Sequence, residues 1–145
     1  PVLDQRDIVF VPRVLPVLAG AKVLIRNSDA ILHTVHTASK KNPAFNRPQL
    51  GNQSADVTFD FPEVIPIACD VHSQMTAYIV VVPTPYFAKA ADDGSFTLKD
   101  IPPGKYRLIA WQEKYQTAET DVEIAAAQPA TVEVNLIPNS TATKP

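Results

Sequence analysis

Within the first eighty or so residues, short apolar and alternating stretches separated by turn-forming residues read as β-strands, whose period is two. Lys22-Val23-Leu24-Ile25-Arg26-Asn27 reads as a strand closed by the turn-forming Asn27-Ser28-Asp29. Ile31 to Thr37 is rich in β-branched residues and reads as another. Val57-Thr58-Phe59-Asp60-Phe61 alternates, which predicts Val57, Phe59 and Phe61 facing inward. Val64 to Cys69 follows with Ile65, Ile67 and Cys69 on one face, and Ala77 to Val82 is strongly β-prone. Ile8–Val11 and Arg13–Leu18 are also strand material, with Pro12 and Pro16 confining them to edges or bends. Residues 1–6 read as a loose start, and 38–55 as loop with at most a turn or two of helix.

Pro83-Thr84-Pro85 marks a change of rhythm. After it, Asp92-Asp93-Gly94 and Pro102-Pro103-Gly104 are turns leading into Ser95–Leu98 and Lys105–Trp111. Glu119–Ile124 and Thr131–Leu136 alternate as two further strands. The fold class is therefore all-β, with two sandwich-like units expected. The expected organisation is a first domain over 1–82, a second over 83–137 and a disordered polar tail over 138–145.

Composition narrows the function more than the fold. A net charge of −2 without clustered Lys or Arg argues against nucleic acid or an anionic membrane as the main partner. Nor does any apolar run of about 18 residues offer a membrane span. Lys40 and Lys41 read as a solvated loop. The sequence begins at Pro1, which suggests a trimmed product. The expected location is periplasmic or extracellular, with a signal peptide removed.

The chemistry concentrates in Cys69-Asp70-Val71-His72-Ser73-Gln74-Met75, which holds the only Cys and the only Met of the chain and one of three His. A lone thiol in an exported protein needs a reason, and metal ligation is one. Soft sulfur ligands with imidazole favour copper, and two His, one Cys and a weak axial Met describe a blue-copper electron-transfer site. The second imidazole must come from elsewhere. His33 and His36 are candidates whose odd spacing sends them to opposite faces of one strand, so only one can face the interior with Cys69. Taken singly, each of these residues is more often core filling than ligand.

Cys69-x2-His72-x2-Met75, taken with Asn27-Ser28-Asp29-Ala30-Ile31-Leu32-His33-Thr34-Val35-His36, resembles the cupredoxins of the amicyanin and plastocyanin type. The two-residue gap between His72 and Met75 is the amicyanin-type loop. The resemblance covers roughly Ile8 to Val82. It implies a Greek-key sandwich with one type 1 copper, its ligands at His33, Cys69, His72 and Met75, and His36 non-ligating. Thr34 departs from the pattern, because the family usually has Asn directly after the first His. Asp92-Asp93-Gly94-Ser95-Phe96-Thr97-Leu98 with Ile101-Pro102-Pro103-Gly104-Lys105-Tyr106 resembles the carboxypeptidase regulatory-like, Cna B-type or transthyretin-like sandwich modules. The missing first strand of such a module is expected from Tyr78–Val82, with Tyr106 and Trp111 in its core or interface.

These resemblances imply an electron carrier rather than an enzyme, cycling one copper between Cu(I) and Cu(II). A redox protein partner, a cytochrome or a dehydrogenase or oxidase, is expected to dock near His72 on a rim of Ser73, Gln74 and Thr76, with Pro83 and Pro85 nearby. The rival readings are a copper-binding or delivery protein, and a structural or adhesion module with Cys69 a buried thiol. The oligomeric state is open.

Overall fold

A computed structural model of the chain describes residues 1–140. It divides into two compact units, Pro1–Leu98 and Lys99–Pro145. The first contains two sheets. β1 (Val2–Arg6), β2 (Val9–Val11), β4 (Lys22–Asn27) and β7 (Ser54–Thr58) form one, in the order β2-β1-β4-β7. β3 (Val14–Leu18), β5 (His33–Thr37), β6 (Asn46–Gln49), β8 (Glu63–Ala68) and β9 (Thr76–Val82) form the other, in the order β3-β9-β8-β5-β6. β1 runs parallel to β4 and β3 parallel to β9, while the other pairings are antiparallel. Pro16 lies in β3 and Pro48 in β6, both edge strands, where a missing N–H costs no ladder bond.

The alternating side chains of both sheets build one core. Leu3, Val23, Ile25 and Phe59 meet Val17, Val35, Ile65, Ile67, Ala77, Ile79 and Val81, and Cys69 and Met75 close it at one end. Each large side chain removed from water contributes about 1.5–3 kcal/mol, so this cluster dominates the stability of the unit.

Three local expectations change. Residues 2–6 are a strand, not a loose start. Their polar Asp4 is buried but satisfied by Arg6, Arg26 and Ser28, while Leu3 enters the core. The 38–55 stretch holds β6 and the start of β7, and no helical turn. Phe61 is 57% exposed while Phe59 is fully buried. β7 ends at Thr58, so the alternation stops short of Phe61, whose backbone instead pairs with the Asn42 side chain.

In the second unit, β10 (Gly104–Ala110) and β11 (Ala118–Ile124) form an antiparallel ribbon. Tyr106 Oη donates to Pro102 O at 2.7 Å, bracing the Pro-Pro-Gly turn. Tyr106 and Trp111 are half-buried rather than enclosed. Thr131–Leu136 keeps its alternating exposure but carries no ladder, and neither does Ser95–Leu98. Tyr78–Val82 is not the missing strand of this ribbon, because β9 has β3 on one edge and β8 on the other. Of the expected tail, Pro138 bridges Tyr115 and Asn139 N donates to Lys114 O. Residues 141–145 of that tail lie outside the described residues. Among the described residues no helix is long and apolar enough to cross a membrane.

Candidate metal centre

β5 opens on His33, β8 ends one residue before Cys69, and β9 starts one residue after Met75. Strand ends thus bring the candidate residues to one edge of the core. The loop between β8 and β9 is closed by two backbone bonds, Cys69 N to Met75 O at 3.2 Å and Met75 N to His72 O at 3.0 Å. Its geometry is fixed by the chain itself.

His33, Cys69 and His72 converge. Their ligand atoms all lie within 4.8 Å of one another. His33 Nδ1 is 3.1 Å from His72 Nδ1, and Cys69 Sγ is 4.0 Å from that same His72 nitrogen. The two imidazoles meet edge to face, with centroids 5.0 Å apart. Nitrogen and sulfur ligands bound at about 2.0–2.3 Å to a single ion sit about 3–4 Å from each other. The two separations from His72 fall in that range, and the three donors together form a group that could hold one metal ion. His33 and Cys69 are buried and His72 is half-buried, so the site lies under the surface and reaches it through the His72 ring. Met75 is buried beside them in the chain, at 1% exposure.

The surroundings set the chemistry of each donor. His33 Nε2 donates to Asp29 Oδ2 at 2.7 Å. With the proton held there, Nδ1 carries the lone pair that points to His72, the usual carboxylate–histidine support of a metal ligand. Burial raises the Asp29 carboxyl, but His33 and the N–H groups of Ile8 and Asp7 outweigh it, and the group stays ionised below its ordinary range. Burial likewise pushes the Cys69 thiol up. The N–H groups of Thr34, His72 and Val71 and the Thr34 hydroxyl reverse this, leaving it more acidic than a free cysteine. A thiolate is the metal-binding form.

Sequence reasoning missed Asp29 as a supporting group, although its position four residues before His33 was a signal. It also missed Gly51. A Cβ there would lie 2.7 Å from the carbonyl carbon of Ala30 and 2.7 Å from Asp29 O, so only glycine lets that backbone approach. Asn27, fully buried, steadies the same corner by donating to Ile31 O and Gln49 O. His36 lies on the other face of β5, exposed, with Nδ1 3.1 Å from Asp70 Oδ1. Pro83 and Pro85 do not border the site. β9 carries the chain away from the ligand loop for seven residues before them, about 20 Å at about 3.3 Å per residue.

The first unit is a cupredoxin-type β-sandwich. Solved structures similar to it include two amicyanin variants. One, in the Cu(I) form, is 21% identical with TM-score 0.50 over 56% of this chain and 80% of that one. The other, reduced, is 22% identical with TM-score 0.52 over 57% and 81%. A Cu-containing nitrite reductase (NirK) from Thermus scotoductus SA-01 is 20% identical with TM-score 0.52, over 57% of this chain but only 22% of that one. At these identities the likeness establishes the fold. Residues 73–137 match the carboxypeptidase regulatory-like domain. That match begins inside the ligand loop, so it takes in β9, which the fold assigns to the first sandwich. A search of curated proteins found no match to the sequence.

Proposed function

We propose that the first unit holds one copper ion between His33, Cys69, His72 and, as weak axial ligand, Met75, and that the protein carries single electrons. The observation behind this is the convergence of two imidazole nitrogens and one thiol sulfur at 3.1 and 4.0 Å, beneath the surface of a cupredoxin-type sandwich. Two imidazoles with a soft thiolate and a thioether favour copper over harder ions. Bound copper supplies a one-electron couple. The chain's own residues supply the rest: strand ends and two loop bonds hold the donors in place, Asp29 fixes the His33 ring, and burial excludes water. Small rearrangement between oxidation states favours fast transfer.

With all four ligands drawn from protein, no coordination position is left for a substrate, so we read the protein as a carrier rather than an enzyme. Electrons would pass through His72, the least buried of the three converging ligands. Exposed Val71, Ser73, Gln74 and Thr76 would form the rim for a transient redox protein, an encounter that needs little area. An exported, periplasmic location suits a protein whose single cysteine is a ligand. Residues 83–137 would form a second module appended to the carrier.

Loading the protein with Cu(II) tests this. The expected result is an intense visible sulfur-to-copper band that Cys69→Ser abolishes. A colourless protein that retains one titratable thiol would overturn the proposal, and slow, irreversible redox behaviour of a coloured one would favour copper delivery.

A further inference from the structure

Thr34 touches Cys69 twice. Its peptide N–H donates to Sγ at 3.4 Å, and its hydroxyl oxygen lies 3.8 Å from the same sulfur. That oxygen also accepts the Asp70 N–H at 2.7 Å. A hydroxyl has one hydrogen and two lone pairs. The Asp70 bond occupies a lone pair and orients the rotor, which leaves the single hydrogen free for the sulfur. Thr34 sits on β5 between the buried His33 and Val35, so its backbone cannot drift from this position.

We propose that the Thr34 hydroxyl is a second hydrogen-bond donor to the Cys69 sulfur and biases the metal couple toward its reduced state, so that Thr34 is a positioning residue for electron transfer. This rests on the copper reading above. On reduction, Cu(II) takes one electron from an external one-electron donor and becomes Cu(I), and no ligand bond need break. The thiolate then gives less of its charge to the metal, so negative charge on sulfur rises. A hydrogen bond to a more negative acceptor is stronger, and the reduced form gains more from Thr34 than the oxidised one. Asp29 acts in the opposite sense, because its carboxylate makes the His33 nitrogen a better donor to the oxidised ion. The two supporting groups flank the same strand end and oppose each other.

The test is Thr34→Val, which keeps the shape and removes the hydroxyl, beside Thr34→Ser, which keeps the hydroxyl. In copper-loaded protein at fixed ambient potential, T34V is expected to shift the Cu(I):Cu(II) ratio about tenfold toward Cu(II), about 59 mV for one electron, and to move the visible band. T34S is expected to stay within about threefold of the wild type by the same conversion. In the metal-free protein, exchange of the Asp70 amide should quicken in T34V and not in T34S. If T34V does not take up copper, T34A is read against T34S, since the two differ by one oxygen atom. A T34V protein that loads copper and keeps the wild-type potential overturns the inference. Failure of both T34V and T34A to load, with T34S intact, also overturns it by making the hydroxyl purely structural. A colourless wild type removes the copper reading itself, and the inference with it.

Discussion

His33 does two things with one ring: Nε2 is spent on Asp29 while Nδ1 faces His72 at the candidate metal position. Removing the carboxylate by Asp29→Ala should therefore weaken metal affinity about 10–100-fold, measured by competition with a chelator of known affinity. Unchanged affinity would mean that packing alone orients the ring. Met75→Leu is expected to retain the visible band and raise the potential, as the loss of a weak axial donor favours the reduced ion. Loss of colour in that variant would instead make Met75 essential to the site. His33 opens β5 and Met75 immediately precedes β9, so both side chains are held by strand ends.

At the level of elements, the loop after β5 depends on one carboxylate. Glu63 accepts from Ser39 Oγ, from the backbone N–H of Lys40 and Lys41, and from Asn42 Nδ2. Burial raises its carboxyl, but these four donors pull it down to about 2. A depressed carboxylate stabilises the fold above its unfolded pKa, ordinarily about 4.3 for Glu, and that stability is lost as pH falls toward 2. After screening at this partly exposed site the loss amounts to roughly 1–2 kcal/mol. Urea midpoints measured between pH 5 and pH 2 should fall more steeply for the wild type than for Glu63→Gln. Phe59→Ala should cost about 3–5 kcal/mol and Phe61→Ala within about 0.5 kcal/mol, since one ring is enclosed and the other lies in water. Gly51→Ala should destabilise by about 1–3 kcal/mol through its clash with the Asp29–Ala30 backbone. The strands that build the core were legible because their alternation is unbroken: Lys22–Asn27 is β4 residue for residue, and Cys69 follows β8 as its spacing implies. β1 and β6 were not, because Asp4, Gln5, Arg47 and Gln49 interrupt any apolar pattern in stretches that read as a loose start and a loop. Gln5 and Gln49 are instead buried and bonded to each other at 2.6 Å, a pairing across 44 residues that no local pattern reveals. Cys69 and His72 were legible as neighbours on one short loop and His33 came only with the family resemblance, whereas the support that Asp29, Gly51 and Thr34 give this corner depends on which strand ends meet in space.

At the level of the whole molecule, the two units differ in how they are held. The first has a continuous core, while the second presents alternating half-buried and exposed residues on β10 and β11 with none enclosed. A two-stranded ribbon is only marginally stable by itself, so amides of β10 and β11 are expected to exchange faster than those of β8 and β9. Equal protection would place the ribbon in a core as dense as the first. The proposed carrier role requires one electron per copper at a site with no open position for substrate. Its most direct test is a reductive and reoxidative titration of the copper-loaded protein, following the visible band. The predicted result is bleaching by one electron equivalent per copper, with full return of the band on reoxidation. A protein that develops no such band, or whose band fails to return, would contradict it.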